Sequence, residues 1–249
     1  MQVEWEVTMK CNYNCFYCSN LDKNIHHVTD HNILRSFIQS LGETYPGVEI
    51  FVFGGEPFVH PEIGYIIKCF NEFNIPFVIQ SNLSKYSIEV MKTITEPYTL
   101  QASIHPTEIT LEDLMDTLKE NITCRVIDVM FSGKEAVLYY LKVKEHSNCS
   151  NIFLTPVTDF GDGRSDVALQ EYLKLKNDPS YNKIINFEEV ERLGKPRSEL
   201  WATISFSPKG KPCLYKDRYF LYSPQLEMYN CCYRIKTDGI CPKSKCFLM

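Results

Sequence analysis

No stretch of the 249 residues approaches the roughly 18 uninterrupted apolar residues that cross a membrane. The N-terminus, Met1-Gln-Val-Glu-Trp-Glu6, lacks a basic region followed by an apolar run, so no secretory signal is expected. Basic charge is short: 26 Lys and Arg against 31 Asp and Glu leave a net charge of −5, without the cationic footprint of a dedicated duplex nucleic-acid binder. Internal repeats and low-complexity tracts are absent. What remains is a chain that is 44% hydrophobic, enough for one large domain or a domain plus a small appendage.

Cysteine, by contrast, is abundant. Eleven cysteines, an odd number without an export signal, argue against a secreted disulfide scaffold and for metal ligation in a reducing cytosol, so a cytoplasmic location is expected. They are unevenly spread. Cys11, Cys15 and Cys18 form C-x3-C-x2-C near the start, and Cys213, Cys231, Cys232, Cys241 and Cys246 gather near the end. Cys69, Cys124 and Cys149 fall inside apolar patterns and read as ordinary buried thiols. Thiolates are soft ligands that suit iron–sulfur clusters, zinc or copper(I). Three thiolates on a four-iron cubane leave one iron open, as a catalytic metal keeps an open position. Three cysteines with a distant fourth ligand would instead hold zinc, although zinc sites usually come as C-x2-C pairs.

Periodicity gives alternating strands and helices. Strands are expected at Val3–Thr8, Val48–Phe53, Pro76–Ser81, Tyr98–Ile104, Thr123–Met130 and Asn151–Thr155. Helices are expected at Thr29–Leu41, Pro61–Phe73, Ser84–Ile94, Thr110–Leu118 and Lys134–Lys144, with Asp30 as a cap and Thr110-x-x-Asp113 as a capping box. Such alternation argues for parallel βαβ units, in a barrel or an open doubly wound sheet. Several strands carry polar residues on one alternating face: Glu4, Glu6 and Thr8, then Gln80 and Asn82, then Gln101, Ser103 and His105, with Arg125 on the fifth. Parallel strands covered on both faces should be apolar throughout, so this pattern predicts a hydrated, ligand-holding interior. An exposed edge strand is the other reading for Glu4 and Glu6. Three segments are expected: 1–156, a connecting helical stretch over 157–200, and 201–249, which opens with a hairpin over Trp201–Tyr215.

The triplet Cys11-Asn-Tyr-Asn-Cys15-Phe-Tyr-Cys18, with an aromatic Tyr17 before the last cysteine, resembles the signature of the radical S-adenosylmethionine (SAM) enzymes. Gly54-Gly55-Glu56-Pro57, directly after the second strand, resembles that family's GGEP motif. Glycines let main chain approach a ligand, and a carboxylate pairs with an ammonium. The C-terminal cysteines, led by Pro208-Lys-Gly210-Lys-Pro-Cys213, resemble the SPASM and twitch extensions that hold auxiliary iron–sulfur clusters.

The resemblance implies an α/β fold, a partial (β/α)6 TIM-type barrel with a small cysteine-rich extension of β-hairpin and helix. It implies a [4Fe-4S] cluster on Cys11, Cys15 and Cys18, with SAM on its open iron. Gly54, Gly55 and Glu56 would hold the SAM ammonium, and Tyr17, Asn82, Ser103 and Arg125 would supply further cofactor contacts. His105, held extended before Pro106, would bond SAM or act on protons. Arg125 and Asn82 also read as a surface residue and a turn residue. One auxiliary cluster would draw four ligands from Cys213, Cys231, Cys232, Cys241 and Cys246, and a zinc knuckle is the alternative there. An external one-electron reductant of flavodoxin or ferredoxin type would feed the first cluster.

The implied activity is an oxidoreductase or isomerase type: reductive cleavage of SAM to a 5′-deoxyadenosyl radical that takes hydrogen from an unactivated carbon. The substrate expected from the resemblance is a peptide or protein side chain or an amino-acid-derived group. The alternative is a nucleotide or nucleic-acid base, including virus-encoded base modification, and the basic excess of Lys174, Lys176, Lys183, Arg192, Lys195 and Arg197 would suit such an anion. No peptide-docking domain is expected ahead of the first strand, which lowers the expectation of a long leader peptide. Outside enzymes, an iron–sulfur redox sensor and a zinc-stabilised binding protein remain.

Overall fold

The structure, a computed structural model, describes residues 1–18, 23–120, 122–157, 164–187 and 218–230. Within them the chain alternates β1 (Gln2–Thr8), α1 (His31–Thr44), β2 (Ile50–Gly54), α2 (Ile63–Glu72), β3 (Phe77–Ser81), α3 (Lys85–Met91), β4 (Thr99–Ile104), α4 (Leu111–Lys119), β5 (Val126–Phe131), α5 (Ala136–His146), β6 (Ile152–Pro156) and α6 (Arg164–Lys176). β7 (Tyr219–Tyr222) and β8 (Met228–Tyr229) follow. The sheet order is β6-β5-β4-β3-β2-β1-β7-β8. β1 to β6 pair in parallel with their sequence neighbours, β7 adds in parallel to the free side of β1, and β8 closes an antiparallel hairpin. This is an open, mostly parallel α/β sheet of the partial-barrel kind.

Local chemistry sets the helices. Asp30 accepts from the N–H groups of Asn32 and Ile33 at 2.9 and 3.0 Å, capping α1. Leu34, Ile38 and Leu41 then recur at helical spacing and face the sheet. Thr110 Oγ1 accepts from Asp113 N at 3.1 Å, as the capping-box pattern predicts. The core lies between the helices and one face of the sheet, where Val3, Trp5, Val7, Ile50, Val52, Ile79, Ala102, Ile104, Ile127 and Val129 meet the helical residues. Each large apolar side chain sealed there contributes about 1.5–3 kcal/mol. Trp5 packs edge-on against Phe37 at 5.0 Å between ring centres.

The opposite face is the polar one. Glu6, Gln101, Ser103 and Asp128 are buried on it, alternating with the core residues of the same strands. The edge reading of Glu4 and Glu6 is removed, because β1 is flanked on both sides by β2 and β7. Tyr219 of β7 donates from its hydroxyl to Glu4 at 2.6 Å. Cys69 and Cys124 are buried as expected, and Cys149 is half-buried. The expected hairpin over Trp201–Tyr215 lies outside the described residues. Among the described residues no helix is long and apolar enough to cross a membrane.

Candidate active site

β1 ends at Thr8, and the chain turns directly into the segment carrying Cys11, Cys15 and Cys18. Thr8 Oγ1 accepts from Lys10 N at 3.1 Å and lies 3.0 Å from His27 Nδ1, which fixes the exit. Cys18 N donates to Cys15 O at 3.1 Å, a tight turn that puts the second and third thiols on one short arc. Tyr13 N points at Cys11 Sγ from 3.4 Å, and Asn14 N donates to Glu108 at 2.9 Å. None of the three thiols is in a disulfide; Cys11 and Cys15 are half-buried and Cys18 is exposed. Burial, Glu108 and the neighbouring thiols push Cys15 up to about 12, and burial likewise raises Cys11. Cys11 and Cys15 are thus held as neutral thiols in the metal-free chain, and a cationic metal centre would stabilise their thiolates.

The loop after β2 docks onto this segment through main chain alone. Gly55 N donates to Thr8 O at 2.7 Å and Glu56 N to Lys10 O at 2.8 Å. Only glycine fits. Gly54 sits at φ +133°, and a Cβ there would lie 2.2 Å from Thr8 O; a Cβ on Gly55 would lie 2.1 Å from Lys10 O.

Glu56 is 1% exposed. Its Oε1 accepts from Phe58 N at 3.2 Å and Ser81 Oγ at 3.0 Å, and its Oε2 from Asn82 N at 2.7 Å. Burial lifts this carboxyl to about 7 against the pull of those donors. Both oxygens therefore bind the β2 loop to the end of β3, a structural duty the motif did not disclose.

Asn82 and His105 join the cysteine segment from the next two strands. Asn82 Nδ2 donates to Asn12 Oδ1 at 2.9 Å and lies 3.9 Å from Cys11 Sγ, while its Oδ1 accepts from Ser84 N at 2.9 Å. It is a turn residue and a contact to the cysteine loop at once. His105 places Nδ1 2.9 Å from Tyr17 Oη and 3.6 Å from Cys15 Sγ, and Nε2 3.0 Å from Ser103 Oγ. Its ring stacks on Tyr17 at 5.9 Å and 17°. Burial drops this histidine to about 4, so the imidazole is neutral near pH 7 and carries one N–H. One of the two hydroxyls therefore donates to the ring and the other accepts from it.

Arg125 does not join them, which corrects the expectation that it contacts cofactor. It precedes β5 as Glu49 precedes β2, at the opposite end of the strands from the cysteines. Its guanidinium grips Glu49 in a bidentate pair at 2.7 and 2.9 Å. The segments holding Cys213, Cys231, Cys232, Cys241 and Cys246 lie outside the described residues. Sequence reasoning passed over Asn12, whose Nδ2 donates to Ser84 Oγ at 2.6 Å, and Glu108. The Asn at 12 sits inside the cysteine motif, in a position whose spacing alone says nothing of its partner.

Residues 5–120 of the 249 match the model of the radical SAM superfamily. A search of curated proteins finds no match. Among solved structures the chain is similar to Streptococcus suis SuiB bound to S-adenosylmethionine, with TM-score 0.57 and 11% identity over 95% of this chain and 61% of SuiB. It is also similar to SuiB bound to the precursor peptide SuiA, with TM-score 0.56 and 11% identity over 95% of this chain and 60% of that one. A third is anSMEcpe with bound AdoMet and the Cp18Cys peptide, with TM-score 0.53 and 14% identity over 94% of this chain and 74% of that one. The chain thus spans about 61% of the length of SuiB. At these identities the likeness is one of fold.

Gly55→Ala should lower the stability of the metal-free chain by about 1–3 kcal/mol or more, read from the denaturant midpoint. An unchanged midpoint would mean the Lys10 carbonyl backs away freely. Glu56→Gln should cost about 1–3 kcal/mol, because an amide nitrogen then faces one of the three donors. The raised carboxyl works in the same direction as acid: the folded chain holds its proton more tightly than the unfolded one. Wild-type stability should therefore fall as pH rises from about 4.5 to about 7, and Glu56→Gln should lack that component.

Proposed function

We propose that this chain is a radical SAM enzyme that takes a hydrogen atom from an unactivated carbon of its substrate, a peptide or protein side chain or an amino-acid-derived group. One observation carries the reading. The segment that bears three cysteines and a glycine loop that admits no Cβ meet at the C-terminal end of parallel strands, joined by the bonds from Gly55 N and Glu56 N. Active-site groups collect at that end of a barrel sheet.

The chemistry of the donor set suits a [4Fe-4S] cluster, while among the described residues no three His, Cys, Asp or Glu side chains are already gathered around one point. Cys11, Cys15 and Cys18 supply three soft ligands from one turn, and none is tied up in a disulfide. Held by Cys11, Cys15 and Cys18, such a cluster would supply one-electron reductive chemistry to bound SAM, fed by an external flavodoxin- or ferredoxin-type reductant. The protein's part is to bind and shield. The main chain of Gly54 and Gly55, backed by the buried Glu56 carboxylate, offers the SAM ammonium a negative cradle. Asn82 steadies the Cys11 side of the loop, and Tyr17 and His105 steady the Cys15 side. His105 and Ser103 stand ready as neutral hydrogen-bond partners rather than as charges. The C-terminal cysteines are assigned an auxiliary iron–sulfur cluster, which would serve substrate binding or a second electron transfer.

Cys15→Ala should lose the iron of the first site and at least 100-fold in 5′-deoxyadenosine release with dithionite and SAM, measured anaerobically by chromatography. Full release by this variant would sink the assignment. Arg125→Ala, in contrast, should leave 5′-deoxyadenosine release at the wild-type rate and cost at most about 1 kcal/mol, since it removes only an exposed ion pair. A large loss of cleavage in Arg125→Ala would restore the role first expected for it.

A further inference from the structure

We propose that Lys23 and Glu108 are positioning residues for a cluster on Cys11, Cys15 and Cys18, a pair of opposite charges that clamps the one peptide unit between Tyr13 and Asn14. The proposal rests on the radical SAM reading above and deepens it by naming two residues, outside both motifs, that govern the cluster.

The peptide comes first. Asn12, Tyr13 and Asn14 separate Cys11 from Cys15, so the Tyr13–Asn14 unit lies in the loop between the first two sulfurs. Lys23 Nζ donates to Tyr13 O at 2.5 Å, and Asn14 N donates to Glu108 Oε2 at 2.9 Å. That carbonyl and that N–H are opposite sides of a single planar unit. A cation therefore holds one side and an anion the other. Lys23 Nζ also donates to Asn14 Oδ1 at 3.1 Å. Bonds to charged groups are about twice as strong as neutral ones, and bonds in a chain polarise one another. A plane gripped on both sides cannot swing, which fixes the path of the chain from Cys11 to Cys15.

Glu108 reaches this peptide from a turn that is itself held. The N–H groups of Glu108 and Ile109 both donate to His105 O, at 2.9 and 3.2 Å, directly after β4. Tyr139 Oη of α5 donates to Ile109 O at 2.8 Å and ties the turn to the helix layer. The same turn begins at His105, whose Nδ1 lies 3.6 Å from Cys15 Sγ. It thus meets the cysteine segment twice, at the Cys15 sulfur and at the amide one residue earlier. Glu108 and Lys23 are both half-buried, so solvent screens them only in part.

The two charges act on different sulfurs. Burial raises the Cys15 thiol most, and Glu108 is the next cause in the same direction. Burial also raises Cys11, and there Lys23 works against it. A negative charge beside an iron–sulfur cluster disfavours the added electron, and a positive charge favours it. Neutralising each residue should therefore move the reduction potential in opposite directions. Side chains that served shape alone would give no such pair of signs.

The test uses the full chain. In the metal-free protein, Glu108→Ala should speed hydrogen exchange of the Asn14 amide by about tenfold or more, read by NMR. An unchanged exchange rate would overturn the clamp. In the cluster-loaded protein, kept anaerobic, the ratio of reduced to oxidised cluster is read by electron paramagnetic resonance at a fixed solution potential. Glu108→Gln should raise that ratio by about threefold or more, and Lys23→Met should lower it by about threefold or more. Shifts in the same direction, or a smaller shift in either variant, would overturn the proposal. If a variant takes up no iron, the exchange rate decides. Iron uptake and 5′-deoxyadenosine release by the wild type test the radical SAM reading separately. A wild-type chain that binds iron and cleaves SAM, with variants that keep its potential, refutes only the clamp.

Discussion

Two main-chain hydrogen bonds hold this site together: Gly55 N to Thr8 O and Glu56 N to Lys10 O. They join the segment that bears the three cysteines to the loop after β2, and they form only because both glycines lack a side chain. Everything else is placed relative to that junction. Glu56 carries it on to β3 through Ser81 and Asn82, and Asn82 returns to the cysteine loop through Asn12. The result is a closed circuit of bonds across the ends of three strands. Its backbone members do not depend on rotamers, so the start of the cysteine segment is fixed without help from a stiff side chain. Buried polar circuits of this kind specify one arrangement when every member is satisfied.

Much of this was legible before any coordinates. The alternation of β-rich and helix-period segments gave all six parallel strands and the helices between them, since burial against a sheet demands those periods. The cysteine spacing and the Gly-Gly-Glu-Pro run pointed to the site, because few chemistries need those residue types together. What could not be read was the partner of each polar group. Arg125 looked like one more polar residue on a strand, but it lies just before β5, where side chains face the other end of the sheet and Glu49 waits. Glu56 looked like a ligand for an ammonium and proved also to be a tie between strands. Asn12 gave no signal, because its value depends on Ser84 and Asn82, some seventy residues away in sequence. Periodicity reports burial; it does not report which distant donor meets which acceptor.

The interior face joins the two kinds of information. Its polar alternation was visible in the strands, and the hydrogen bonds from Gln101 and Thr155 to Asp128 give that alternation a focus. Radical chemistry asks for a shielded space.

The strand that feeds the cysteine segment has its second neighbour in β7, near the far end of the chain, with Gln2 N donating to Arg218 O at 2.7 Å. During synthesis the six βα repeats emerge in order, each strand finding its predecessor, yet one side of β1 must wait until Tyr219–Tyr222 leave the ribosome. From β2 through β6 the emerging chain therefore presents a bare hydrogen-bonding margin on β1, a template for mispairing with other chains. Acids at Glu4 and Glu6 on that strand act as gatekeepers through the interval, and the late arrival of Tyr219 against Glu4 marks the moment at which the margin is sealed.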